Sequence, residues 1–532
     1  MALNMKLFKV ESSFLKSNKW DAQLTYSEAE QQGYVIAFSQ SQVSDWVYEL
    51  RGTSYNEIVE KVATLKRRAK TKEGNIKEIK KQILDYIFLD ELIQVDFSSA
   101  KDFDRAVKGF KVNGKEYRYL TSKGSSTVTF IRKDLYNVIS DRLNANRDVK
   151  VKQFASKLSA YKSLAFTSSV PVTSPKNVIV IKDCEVEFQA EYLWVGEDIE
   201  HRDEMVTRNI NDGCCFISPQ LAEQWSKDLG LEKIASAYQV RNLWTKGILF
   251  PVDYKKYCVE HGVTTIKDVW GIERSILDAD VILGESMVKL WSAYDSMESW
   301  LEASVSNGYV WRVGKYAHFN QASKWGFTNY QIFLPMQMNV VDEIEEMLKP
   351  NIEYLEDVTC GDYVSTYLYL HGQSYTEETL KKMFGEDNDR VENTLAQALM
   401  IEPKLLADKS LQNKIKRMLI KTRNDIKLGR LSTNASLCVI VSDPIQLLEH
   451  LCGVKNPKGV LKKGEVYSKF HMENGYKEAI AQRNPMLISN NLIKVNIVSE
   501  IDEEYAEYFK YLDDVICVNG NDLMNESLCG LK

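Results

Sequence analysis

Two β-rich stretches with a long helical one between them constrain this chain more than any other feature. From about Lys111 the texture is extended: Tyr117 to Ile131 (YRYLTSKGSSTVTFI) sets a Gly/Ser turn between β-branched and aromatic arms. Lys176 to Ile181 and Tyr192 to Val195 add short apolar runs, and strands dominate up to Phe250. From Val269 to about Arg430 apolar positions recur at helical spacing, as in MVKLWSAYDSMESWLEA and TEETLKKMF. Strand signals then return at SLCVIV (Ser436 to Val441), GEVYSK (Gly464 to Lys469), LIKVNIV (Leu492 to Val498) and DVICV (Asp514 to Val518). Upstream, Ile58, Val59, Val62 and Leu65, then Ile76, Ile79, Ile83, Leu84 and Ile87, predict one or two helices between Asn56 and Ile93. The resulting expectation is an α+β multidomain chain. It has a mostly helical accessory region at 1–105, a β-rich region at 106–268, a helical connector at 269–430 and a second β-rich region at 431–532. No internal repeat is visible in the residues themselves.

A length of 532 residues suits several domains of ~150 residues each. With 44% hydrophobic and 27% charged residues, the disordered, collagen-like and coiled-coil classes are excluded. A net charge of -6 means that any polyanion site must be a local basic patch on an acidic body. Two such patches exist. Lys61 to Lys81 holds nine Lys/Arg against two acidic residues, among them Lys66, Arg67 and Arg68. Lys414 to Arg430 holds seven against one, among them Lys416, Arg417 and Lys421. Each is either a solvated helix face or a phosphate-tracking one.

The nine cysteines form no CxxC pair, so neither a disulfide framework nor a zinc knuckle is suggested, and a reducing cytoplasm is the expected compartment. No apolar run approaches the ~20 residues of a membrane span, and no partner membrane is expected. The chain lacks GxxxxGK[ST], HExxH and GxSxG, and its acidic pairs, such as Glu343 with Glu345 or Asp513 with Asp514, are of a kind common on protein surfaces and are not expected to be catalytic. No metal-ligating residue is assigned.

Two stretches carry more specific chemistry. In SAYQVRNLWTKGILF, Gln239 and Arg241 are two apart and share one face of a strand, and Lys246-Gly247 sets an ammonium beside a flexible backbone point. Lys as a point charge and Arg as a planar fork suit a triphosphate; a partly exposed strand and turn is the alternative. In Gln482-Arg483-Asn484-Pro485, Arg and Asn stand on extended or turn backbone ahead of the proline.

Taken in order, DGCCFIS (Asp212 to Ser218), YQVRNLWTKGILF (Tyr238 to Phe250), GESMVKLW (Gly284 to Trp291) and QRNP resemble consecutive motifs of the single-chain, two-barrel RNA polymerases. These comprise the RNA-silencing RNA-dependent RNA polymerases of eukaryotes and the YonO-like DNA-dependent RNA polymerases of phages. Their motif forms are close to DGxGxIS, QIRFGGxKGVL, RPSMxKF and RNP. The resemblance implies two double-psi β-barrels, the first complete within 106–268 and the second begun within 431–532 and incomplete. It implies that Lys246 contacts the incoming triphosphate or primer end, offsetting phosphoryl charge. Arg241 and Lys289 would act beside it, although Gly284-Glu285 replace the Arg-Pro of the motif. Gln239, Arg483 and Asn484 would bind the nucleotide, the last two at the ribose hydroxyls.

The family's Asp-x-Asp-Gly-Asp motif, whose carboxylates hold Mg2+, is absent; the chain ends in LMNESLCGLK, which resembles its approach segment. Because two-metal phosphoryl transfer needs those carboxylates, the expectation is an N-terminal polymerase part whose Mg2+ ligands come from a C-terminal segment or a second polypeptide. Expected partners are ribonucleoside triphosphates, a DNA template, with RNA as the alternative, and an RNA product. A non-catalytic nucleic-acid-binding remnant is the competing class.

Overall fold

The computed structural model describes residues 3–123, 127–196, 198–317, 326–328, 330–333, 342–370, 394–483 and 492–521. Strands β1 (Met5–Glu11), β2 (Asp21–Ala22), β3 (Val35–Phe38), β4 (Phe88–Asp96), β5 (Phe110–Val112), β6 (Lys115–Lys123) and β7 (Thr127–Arg132) form a seven-stranded mixed sheet ordered β2-β5-β6-β7-β4-β1-β3. This sheet straddles residue 105, so the boundary expected there is wrong. The helix Ile76–Ile87 ends where Phe88 turns extended, and β4 is captured between β1 and β7. Its apolar residues Leu89, Leu92 and Ile93 prolong the spacing of the helix before it, which hid the change of backbone.

Next come β8 (Val170–Pro171), β9 (Val178–Ile181), the long hairpin β10 (Glu185–Val195) and β11 (Ile199–Asn209), then β12 (Cys214–Ile217), β13 (Tyr238–Asn242) and β14 (Thr245–Pro251). The small hairpin β15 (Thr265–Lys267) and β16 (Glu273–Ser275) precedes β17 (Val281–Gly284) and β18 (Arg312–Tyr316). Seven of these make the sheet β8-β18-β13-β14-β12-β17-β9. After the two-residue strands β19 (Gly326–Phe327) and β20 (Ser432–Thr433), β21 (Val439–Ser442), β22 (Glu465–Tyr467), β23 (Glu478–Gln482), β24 (Leu492–Ile497) and β25 (Val515–Val518) form a sheet ordered β21-β25-β22-β24-β23.

These two sheets repeat one topology. In the first, β9, β12, β13, β14 and β17 stand in the order first-fifth-second-fourth-third. Their pairings run parallel, antiparallel, parallel, antiparallel. In the second, β21 to β25 stand in the same order with the same alternation. In both, the fifth strand enters between the first and second, which is the interlocked psi arrangement implied by a two-barrel polymerase core. Beyond the shared Val-Ile-Val of Val178 to Val180 and Val439 to Val441, little residue identity marks the repeat, so it escaped sequence comparison. The expected connector at 269–430 is corrected accordingly: β17 and β18 belong to the first sheet, and the three apolar residues of β17 are too few for periodicity to tell strand from helix. The described helices Asp342–Cys360, Tyr363–Leu370, Thr394–Ile401 and Lys409–Lys427 share a small core of their own around Val358, Leu399, Leu411 and Ile415.

The units are packed together. One apolar core runs from Trp46 and Leu89 through Phe216, Trp225 and Trp300 to Leu447 and Phe509. Ser442 Oγ donates to Ile210 O at 2.6 Å and lies 3.1 Å from Cys214 Sγ, fixing β21 against β12. Asp513 N donates to Ser236 Oγ at 3.0 Å. At the N-terminal end, buried Arg312 donates to Asp45 Oδ2 at 2.6 Å and to Ser169 O at 2.6 Å, clamping the helix Gln42–Leu50 to the first barrel unit.

Candidate functional site

Strands β13 and β14 are joined by a two-residue turn, Leu243-Trp244, with Asn242 facing Thr245 across the ladder. Trp244 takes φ +48° and is almost fully buried. A bulky residue in the left-handed region is uncommon, and it stands where the family motif form has glycine. Arg241 is directly opposite Lys246 in register, so their side chains share one face. Lys246 is exposed. Arg241 is buried, its Nη1 donates to Val240 O at 2.7 Å, and its Nε has no partner among the described residues. Burial alone pulls its guanidinium down to about 10, so it remains a cation at neutral pH.

The segment Gly284 to Lys289 lies along the start of β14. Lys246 N donates to Met287 O at 2.9 Å, Thr245 bridges Val288, and Lys289 N donates to Trp244 O at 3.3 Å. The turn before β12 completes the arrangement: Ile248 N donates to Gly213 O at 2.8 Å and Gly213 N to Ser286 Oγ at 2.9 Å. Gly247 is required here, since a Cβ would lie 2.5 Å from Met287 Cε and 2.7 Å from Gly213 O. Thus Asp212-Gly213, Lys246-Gly247 and Gly284 to Lys289, far apart in sequence, meet at one place.

The electrostatics follow. Lys289 is half-buried and its Nζ donates to Ser286 O. Burial pulls its ammonium below the ordinary lysine range; Asp212 opposes this, the charge of Lys246 adds to it, and Asp183 opposes it. Asp183, just beyond β9, accepts from Ser286 N at 3.3 Å through Oδ1 and from Asn209 Nδ2 at 2.5 Å through Oδ2. Burial pushes its carboxyl up while those hydrogen bonds hold it down. The two ammoniums thus stand against glycine backbone, with the buried Arg241 on the strand opposite Lys246.

Of the residues singled out from sequence, Lys246, Arg241 and Lys289 are brought together. Gln239 is half-buried on β13, two residues from Arg241, with its Oε1 against Gly314. Arg483 follows β23, and its buried Nη1 has no hydrogen-bond partner among the described residues; no hydrogen bond or ion pair among them joins it to Lys246. Asn484 lies outside the described residues. Lys66, Arg67 and Arg68 are exposed on the helix Tyr55–Lys70, and Lys416, Arg417 and Lys421 on the helix Lys409–Lys427. Both helices bury the opposite stripe, Ile58, Val62 and Leu65 in one and Leu411 and Ile415 in the other. Among the described residues no cluster of three or more His, Cys, Asp or Glu could hold a metal ion, and no helix is long and apolar enough to cross a membrane. Sequence reasoning passed over Asp183, Asn209 and Ser286. An acidic residue ending the apolar run Val-Ile-Val-Ile-Lys-Asp was the available signal.

The model of the RNA dependent RNA polymerase family matches residues 77–519, which include all four motif stretches. The chain belongs to the RNA-dependent RNA polymerase family. It is also 24% identical over 427 residues to the DNA-directed RNA polymerase YonO of Bacillus phage SPbeta, covering 76% of this chain and 46% of that protein. The chain therefore spans about half the length of this curated relative. Among solved structures, the RNA dependent RNA polymerase QDE-1 from Thielavia terrestris matches with a TM-score of 0.46 and 13% identity, over 83% of this chain and 48% of that one. As a member of the polymerase family, the chain has its lysine cluster inside the first of its two matched barrel units.

Proposed function

We propose that this chain forms the triphosphate-binding part of a DNA-directed RNA polymerase active centre. The observation that carries the reading is the convergence of Lys246, Lys289 and Arg241 on glycine backbone within a family whose members polymerise ribonucleotides. Lys246 and Lys289 would offset charge on the phosphoryl oxygens, with Arg241 a fixed cation behind them. Arg483 and Asn484 would contact the ribose. Lys66, Arg67, Arg68, Lys416, Arg417 and Lys421 would hold template and product through phosphates, which gives affinity without sequence preference. DNA as template is supported by the likeness to the phage enzyme, and RNA as template by the family description. In this reading the Mg2+ ligands belong to a C-terminal segment or a second polypeptide, and the place of work is the cytoplasm.

The exposed basic faces of the helices Tyr55–Lys70 and Lys409–Lys427, which need no metal ion to hold phosphates, favour a second reading, a polymerase-derived protein that binds nucleic acid without catalysis. Incorporation of labelled ribonucleotides with Mg2+ on single-stranded DNA and on RNA separates the two. The chain is assayed alone and with the polypeptide encoded immediately downstream, each with Lys246→Ala as control. Synthesis that Lys246→Ala abolishes supports the polymerase reading and names the template. No synthesis in either case, with salt-sensitive nucleic-acid binding retained, supports the second.

A further inference from the structure

Both barrel units carry an aspartate just beyond the end of their first strand, Asp183 after β9 and Asp443 after β21. Asp443 is enclosed by donors: backbone N of Ile445, Gln446, Val460 and Leu461 at 2.9–3.4 Å, and Asn519 Nδ2 at 3.1 Å. Its carboxylate is consumed in holding its own barrel. Asp183 receives Ser286 N and Asn209 Nδ2, and faces the charges of Asp212 and Lys289. The fifth strands differ to match. Gly284 is paired with Ile181 where Val518 is paired with Ser442. A Cβ at Gly284 would stand 2.4 Å from Asp183 Oδ1. The first unit thus gives up a side chain at the end of its fifth strand, and the space admits a carboxylate.

We infer that Asp183 is a positioning residue of the triphosphate site, holding the Ser286 turn that presents Lys289 and supplying counter-charge to the Lys289 ammonium. This rests on the triphosphate reading given above. The turn is tied at both ends: Asp183 Oδ1 takes the backbone N of Ser286, and the carbonyl of Ser286 takes the Lys289 ammonium. The groups that face that ammonium come from three elements, Asp183 beyond β9, Asp212 before β12 and Lys246 on β14. Removing the Asp183 charge leaves Lys289 beside another cation with one carboxylate fewer, so Lys289 loses its proton at lower pH.

The test is the affinity for inorganic tripolyphosphate, by calorimetry, from about pH 7 to the ordinary lysine value of about 10.4. The proteins are wild type, Asp183→Asn, Lys289→Ala and the double variant. In Asp183→Asn, binding near neutrality is equal or tighter because an anion has been removed, and the alkaline loss of binding moves to lower pH, so the two profiles cross. In the Lys289→Ala background the same substitution leaves the alkaline limb in place. The same change in binding with and without Lys289, whether a weakening at every pH or a displacement of the alkaline limb, overturns the positioning role while leaving the triphosphate site standing. No tripolyphosphate binding by the wild type overturns the site itself, and the inference with it. If circular dichroism shows Asp183→Asn unfolded, Asp183→Ser removes the charge while keeping an oxygen, and the same outcomes decide.

Discussion

Gly247→Ala adds one methyl group at the point where three segments of the candidate site touch. Gly247 has an ordinary negative-φ backbone, so the substitution introduces crowding without left-handed strain. The new Cβ would lie 2.5 Å and 2.8 Å from Met287 Cε and Cγ and 2.7 Å from Gly213 O, against a comfortable carbon contact of about 3.5–4.0 Å. Met287 is fully buried, so its side chain can turn aside only by disturbing its neighbours. Gly213 O is backbone and cannot turn at all. It must retreat, and its hydrogen bond from Ile248 N at 2.8 Å stretches or breaks. Overpacking costs about 1–3 kcal/mol, and the lost hydrogen bond about 0.5–1.5 kcal/mol. The sum is roughly 2–4 kcal/mol, read as a lowered urea midpoint at unchanged slope. Met287→Ala alone costs about 2–5 kcal/mol through its cavity. Together the two substitutions cost less than their sum, because the cavity receives the methyl, leaving only the Gly213 clash; the coupling is about 1–2 kcal/mol. A Gly247→Ala protein within about 0.5 kcal/mol of wild type, or strictly additive costs, refutes the packing account of the site.

Three further outcomes are expected. Arg312→Met takes the guanidinium from the carbonyl of Ser169 and from the Asp45 carboxylate, which keeps only the weaker donor Gln40 Nε2 at 3.2 Å, costing about 3 kcal/mol in chemical denaturation, and Asp45→Asn in the same chain recovers part of it. Replacing Lys66, Arg67 and Arg68 together by alanine lowers the slope of log affinity against log salt by about 2 on single-stranded DNA if they contact phosphates; an unchanged slope marks a merely solvated face. Glu298, ion-paired with Arg274, has its carboxyl held down to about 2. A depressed folded-state value means that its contribution is fully present above the unfolded carboxyl value of about 4.3 and is lost as pH falls toward about 2. Stability of Glu298→Gln therefore falls less steeply than wild type across that acid window, which melts at stepped pH measure.

The lysine cluster was legible because its residues sit in short motifs whose chemistry is local. Gln239 and Arg241 alternate on one strand, and Lys246 precedes a glycine. The partner segment was legible in part, since Lys289 could be named but not placed. Asp183 was illegible for a topological reason: it meets Ser286 only because β17 slots in beside β9, and nothing in the residues near either announces that pairing. The α+β class and the β, helical, β progression were readable from periodicity. The N-terminal sheet was not, because β4 continues the apolar spacing of the helix before it. The duplicated strand order lives in the pairing alone, with β9 and β21 sharing a few residues and the later strands almost none.

That strand order has a consequence for how the chain is made. Within each repeated set of five strands the last to leave the ribosome is the one that must slide between the first two: Val281 pairs with Val178, and Val515 with Val439. Until then β9 and β12, or β21 and β22, have a vacant lane between them, and their unpaired edges invite wrong partners. Neither unit can close progressively during synthesis. Each waits for its final strand and then closes over a long loop, the regime in which non-local pairing makes folding slow. The molecule therefore meets this delay twice, and the β9–β12 lane is filled well before the β21–β22 lane has been translated.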